Sequence, residues 1–157
     1  MKFTKYIFLI FIIPIYCQFG KNIVQYKSFD WHYIQSKYFD VYFYDSDTGS
    51  TNINSNAEFV ARESLKSYDI ISNAIGWKLK NRIPIIVYNS HNDFQQTNII
   101  DMYMPEGVGG VTELYKNRVV IPFDGNNNQF KTVIHHELVH AFINDYIYKG
   151  SVQNMQN

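Results

Sequence analysis

Cysteine is almost missing from this chain: there is one, Cys17, and it lies inside the apolar N-terminal stretch. Removal of that stretch would leave no disulfide, so the rest must rely on a packed core or a bound metal for stability. Excess charge is missing too. Fourteen Lys and Arg against 14 Asp and Glu give a net charge of +0, with no basic stripe. Nucleic-acid binding therefore has no electrostatic support. The longest apolar run, Tyr6–Cys17, is broken by Pro14 and is too short for a comfortable membrane span. There is no internal repeat and no low-complexity tract beyond the short run Asn126–Asn128. Finally, the 17 residues after His140 (157 minus 140) contain no Glu, an absence that bears on the chemistry below.

Lys2 and Lys5 ahead of the apolar run give the pattern of an export signal, assigned to residues 1–20, with cuts after Cys17 or Gly20 as the alternatives. An uncleaved membrane anchor is the competing reading. Cleavage predicts a secreted, periplasmic or cell-envelope protein of roughly 137 to 140 residues, enough for one domain. That domain is placed at 21–150, followed by a polar tail at 151–157. Aromatic content of 17%, with 13 Tyr and 12 Phe, is read as a core and sheet surfaces rich in tyrosine.

Hydropathy patterning predicts two strands, Phe29–Gln35 and Tyr38–Tyr44, paired as a hairpin, and a loop over Asp45–Asn54. The loop's acidic start lacks the spacing of an EF-hand. Ser55 with Glu58 reads as a capping box. It opens a helix whose apolar face is Ala61, Leu65, Tyr68, Ile71 and Ile75, with Gly76 as the stop. Arg82–Tyr88 reads as a buried strand, and Ser90 as the cap of a short helix through Asp93 and Phe94. The glycine-rich segment Pro105–Gly110 leads into a strand Val111–Tyr115, which turns at Lys116-Asn117 into Arg118–Phe123. No Gly-Lys-Ser/Thr follows these glycines, so they are not a phosphate cradle. They are expected to give backbone access beside an active site.

After a loop, Asp124–Asn128, a helix starting near Gln129 carries Phe130, Val133, Ile134, Leu138, Ala141 and Phe142 at helical spacing. On it lies His136-Glu137-Leu138-Val139-His140, an HExxH motif. At i and i+4 the two imidazoles project from one face, close enough to chelate one tetrahedral Zn²⁺. Glu137, ~100° round the helix, is positioned as general base toward a zinc-activated water. The competing reading is that both histidines are hydrogen-bonded core residues. The third ligand is the difficulty. A metzincin pattern needs Gly at position 143 and His at position 146, where Ile143 and Tyr146 stand. Asp145 falls ~140° off the metal face of a continuing helix. His135 reads as a packing or supporting residue. The remaining option, a Glu from a following helix, meets the missing glutamates noted above.

Taken together, Ile83–Phe94 (IPIIVYNSHNDF), Pro105–Gly110 (PEGVGG), Asn117–Pro122 (NRVVIP) and Val133–Phe142 (VIHHELVHAF) resemble the peptidase MA-like gluzincin domains of secreted bacterial proteins. The resemblance runs from about Phe19 to Tyr148. It implies an α+β, zincin-like fold: a small mixed sheet packed on the HExxH helix and one further long helix. It implies a Zn²⁺ cofactor held by His136 and His140, with Glu137 as catalytic base and proton shuttle in peptide-bond hydrolysis. It further implies that the strand around Val111–Leu114 is a sheet edge taking an extended peptide, which makes Gly109, Gly110, Val111 and Thr112 the expected substrate-binding residues. Its expected partners are a peptide or protein substrate and, in a longer form, a C-terminal β-propeller. The chain departs from the family where the third ligand's Glu-bearing helix should follow, and is therefore read as a truncated product or fragment. The alternative function is a non-catalytic secreted or envelope scaffold that binds peptide on a peptidase-like fold.

Overall fold

The computed structural model describes residues 26–45, 53–98, 105 and 107–151. The expected signal at 1–20, most of the loop after Asp45 and most of the polar tail lie outside these residues. The elements run β1 (Trp31–Gln35), β2 (Phe39–Tyr44), α1 (Ile53–Ile75), β3 (Ile83–Tyr88), α2 (His91–Phe94), β4 (Val111–Glu113), β5 (Arg118–Pro122) and α3 (Asn127–Tyr146), which continues into a π turn, Ile147–Ser151. Among the described residues no helix is long and apolar enough to cross a membrane.

The strands form one mixed sheet in the order β1-β2-β3-β5-β4. The expected hairpin is present: β1 pairs antiparallel with β2, Gln35 opposite Asp40. The central strands β2, β3 and β5 run parallel. β4 runs antiparallel to β5 and is an edge strand. Parallel neighbours need a crossover, which α1 supplies between β2 and β3.

Strand alternation separates two cores. Phe39, Val41, Ile83, Ile85, Val87, Val119 and Ile121 point to the face covered by α1 and α3. The intervening residues Tyr44, Ile86, Tyr88 and Val120 point to the other face, where α2 contributes Phe94 and the chain ahead of β1 adds Phe29. The tyrosines thus line the sheet, as their abundance implied. On this second face the buried Asp93 accepts a 2.8 Å hydrogen bond from the Tyr44 hydroxyl, which itself accepts from Asn89 N at 2.9 Å. Burial, and then the Asp93 carboxylate, push the Tyr44 phenol well above the ordinary tyrosine range. Ser90 caps α2 as expected, accepting from Asp93 N.

Helix α1 begins at Ile53, two residues ahead of the expected capping residue. It ends as expected at Gly76, whose φ of +70° is the left-handed conformation that glycine adopts without strain. Its buried stripe is Ala57, Val60, Ala61, Ser64, Tyr68 and Ile71. Leu65, expected on that face, is 37% exposed; Ser64, one residue earlier, takes the inward position ~100° away. Helix α3 starts at Asn127, two residues earlier than the sequence indicated, because the Asn126 side chain accepts from Asn128 N and Gln129 N and so caps it. Of its expected core residues, Phe130, Ile134, Leu138, Ala141 and Phe142 are buried and Val133 is partly buried. They meet α1 through the Phe59–Phe130 and Tyr68–Phe142 ring contacts.

An ionic contact also joins these helices. The buried carboxylate of Glu63 on α1 lies 2.7 Å from the Lys66 ammonium and 3.6 Å from Lys131 on α3. The Lys66 hydrogen bond, aided by the charge of Lys131, holds Glu63 below the usual glutamate range. A carboxyl depressed in the folded state stabilises at pH above its unfolded value, and that contribution disappears as acid titrates the folded group. Thermal unfolding followed by circular dichroism from about pH 6 to about pH 3 should therefore show a shallower fall in Tm for Glu63→Gln than for the parent chain. Parallel curves would show that the contact carries no pH-dependent stability.

Candidate metal and proton-transfer site

The motif lies on the middle of α3, where its residues divide between two environments. His136 and His140 face solvent, while Glu137 is only 7% exposed and Leu138 is fully buried. The helix is thus buried against α1 and the sheet, but the two imidazoles, which the sequence placed on a largely buried helix, open outward. Their Nε2 atoms are 3.0 Å apart, with ring planes at 81°. Such a pair is satisfied in two ways: by a hydrogen bond between neutral rings of suitable tautomer, or by a shared cation. A tetrahedral zinc with Zn–N bonds of ~2.0–2.1 Å sets two nitrogens ~3.3–3.4 Å apart. The observed separation differs from that by a few tenths of an ångström, within reach of a small χ adjustment, so the pair fits zinc.

Glu137 turns away from solvent toward the sheet edge, as its offset round the helix requires. The Thr112 hydroxyl on β4 lies 2.7 Å from Glu137 Oε2 and 3.0 Å from Glu137 O. Among the described residues four carboxylates are buried, and the other three are ion-paired: Glu63 with Lys66 and Lys131, Asp93 with Lys27, and Asp145 with Lys149. Glu137 forms no ion pair within that set; its side chain is held by a neutral hydroxyl. A carboxylate neutralised by lysine is committed to structure, whereas one held by a hydroxyl keeps its charge available for a proton or for the field of a cation.

The approach of β4 to α3 depends on Gly110. A Cβ there would lie 2.9 Å from Ile121 Cγ2 and 3.0 Å from both Glu137 Cγ and Val133 Cγ1. At Gly109 the nearest atom would be Val133 Cγ2, at 3.1 Å. Gly110 and Thr112, two apart on an extended chain, present the same face to the helix. Val111 presents the opposite face and packs in the second core. The four residues expected to bind substrate therefore sit at the sheet edge beside α3, with the Thr112 side chain directed at Glu137. At the far end of the β4–β5 loop, Asn117 holds a φ of +50° and donates from Nδ2 to Ala141 O at 3.0 Å, a second tie between the edge hairpin and α3. The sequence reading missed both side-chain ties. Strand parity, with Gly110 and Thr112 on one face, was the signal available for the first.

No third ligand joins the histidines: among the described residues no group of three His, Cys, Asp or Glu converges. Asp145 is turned away as expected. Its Oδ2 accepts from Trp77 Nε1 at 3.0 Å and Lys80 N at 3.3 Å, fastening the α1–β3 connection to α3. His135 is half-buried.

Substitution of Gly110 by alanine should force β4 away from α3 and cost about 1–3 kcal/mol by overpacking, read as a lower denaturation midpoint in urea. Gly107→Ala, where an added Cβ meets nothing within 4 Å, is the control and should differ by less than about 0.5 kcal/mol. Equal effects would refute the close-approach explanation.

Comparison with protein-family models, with curated proteins and with solved structures returns no match. The functional reading therefore rests on the chain's own residues and geometry.

Proposed function

We propose that this chain carries the metal-binding and base-bearing part of an exported zinc metallopeptidase of the gluzincin, peptidase MA-like class, built on a zincin-like variant of the α+β fold. The observation that carries this reading is the convergence of His136 and His140 at 3.0 Å on the open face of α3, on the same helix as a buried carboxylate that no cation of the described residues neutralises. Position in the sheet supports it further: β4 is an edge strand beside that helix, with unpaired backbone groups of the kind that take an extended peptide as an added strand.

His136 and His140 would hold the metal. Bound Zn²⁺ supplies Lewis acidity to the scissile carbonyl and to a water at the site. Glu137 would be the group that accepts a proton there and returns it to the departing amine. Gly109, Gly110 and Val111 would offer backbone to the substrate, and among the described residues no third ligand converges on the histidines. Export through residues 1–20 places the protein in the envelope or outside the cell.

The non-catalytic scaffold is the second reading, and the lack of a converging third ligand among the described residues favours it. Zinc titration by calorimetry, with cleavage of an unstructured peptide, separates the two. The peptidase reading expects one zinc per chain, lost in His140→Ala. It also expects Glu137→Gln to keep the metal while cleavage falls by about 10²–10⁴-fold. A chain that binds peptide without zinc and never cleaves it supports the scaffold, and undiminished cleavage by Glu137→Gln rules out the proton-transfer role.

A further inference from the structure

We infer that Thr112 is a positioning residue for Glu137, an assignment that rests on the proposed peptidase reading and changes the part played by one of its expected substrate-binding residues. The Thr112 side chain faces the helix and approaches the base itself. A hydroxyl has one proton to donate. Of its two possible acceptors on Glu137, Oε2 at 2.7 Å is nearer than the backbone oxygen at 3.0 Å and carries the charge. The hydroxyl therefore fixes the carboxylate plane from the edge strand.

Its chemical type matters as much as its place. The other buried carboxylates of the described residues are held by lysines, an arrangement that would compete with proton transfer at a base. A hydroxyl orients a carboxylate and leaves its charge in place. Gly110 completes the device, since a side chain there would occupy the space against Glu137 Cγ and Val133 Cγ1 that lets β4 bring Thr112 within reach. Thr112 thus acts through Glu137, without touching substrate by its side chain.

The test compares Thr112→Val, which keeps the shape and loses the hydroxyl, with Thr112→Ala as a second hydroxyl-free variant and Thr112→Ser, which restores the donor. In the zinc-loaded full chain, cleavage of an unstructured peptide should show kcat lowered about 10- to 100-fold in Thr112→Val and Thr112→Ala. KM should stay within about twofold, and Thr112→Ser should recover to within about threefold. In a Glu137→Gln background, Thr112→Val should add no further loss. A second readout needs no activity: the side-chain carboxyl ¹³C resonance of Glu137, assigned by its disappearance in Glu137→Gln, should move in Thr112→Val and Thr112→Ala and stay in place in Thr112→Ser. Calorimetric zinc binding and a cooperative thermal transition, unchanged in each variant, mark a local effect. If the parent chain cleaves nothing, the peptidase reading fails by itself, and the carboxyl resonance still decides whether Thr112 holds Glu137. An unmoved resonance, equal impairment of the serine and valine variants, or a kcat unaffected by loss of the hydroxyl would overturn the assignment.

Discussion

Strand β4 can lie against α3 only because residue 110 has no side chain, and the surroundings of Glu137 follow from that contact. With a Cβ at 110 the strand would meet Ile121 from its own sheet and Val133 and Glu137 from the helix, all at about the separation that real Cβ atoms avoid. Without it, the strand closes to hydrogen-bonding range, Thr112 reaches Glu137, and Asn117 reaches the Ala141 carbonyl further down the helix. The edge hairpin is therefore tied to α3 near both of its ends. A strand fixed in that way holds the Glu137 carboxylate from the sheet side through the Thr112 hydroxyl.

The second constraint is the shortage of surface on α3. Its apolar residues are spread round the helix, so burying Phe130, Ile134, Leu138, Ala141 and Phe142 against α1 and the sheet still leaves apolar groups outward. Ile143 and Ile147 are 41% and 40% exposed, and their spacing places them on the same stripe as His136 and His140, at i+7 and i+11 from His136. Beside that stripe, Leu114 and Tyr115 of the edge hairpin and Tyr146 and Tyr148 are also exposed. The stripe is therefore mixed, with the two imidazoles between the exposed Thr132 and the exposed isoleucines.

Much of this could be read from the sequence where period and chemistry agree. Alternation at Phe39, Val41 and Phe43, the buried run Ile83–Tyr88, the Ser90 cap, the Gly76 stop and the helical spacing from Phe130 to Phe142 all correspond to elements in place. The failures share a cause. Ser55 with Glu58 satisfies a capping pattern, yet α1 starts at Ile53, since a local motif does not outweigh a helix that already packs from Ala57 onward. Leu65 was assigned inward because it is apolar, while the small Ser64 fits the tight inner position. The histidine spacing gave the convergence of the two rings; it could not give their exposure, which depends on where β4 and α1 stop covering the helix. Nor could spacing along one element reveal the Thr112–Glu137 contact, since 25 residues separate the partners.

What distinguishes the carboxylates of α3 is their surroundings. Asp145 and Glu137 are both buried, at 1% and 7% exposure, on the same helix. Desolvation alone would penalise either charge, and each is compensated differently. Asp145 receives an indole N–H and a backbone N–H on Oδ2 and has a lysine ammonium 3.0 Å from Oδ1, a set that joins the α1–β3 connection to the helix. Among the described residues the Glu137 side chain receives one hydroxyl, a sparser compensation than that of the other buried carboxylates, each of which has a lysine beside it. Under the proposed peptidase reading, the charge that would complete its surroundings is the metal's. The two imidazoles at 3.0 Å are the groups able to hold it. Under the proposed reading, the sparsely compensated carboxylate and the two imidazoles would belong to one electrostatic arrangement.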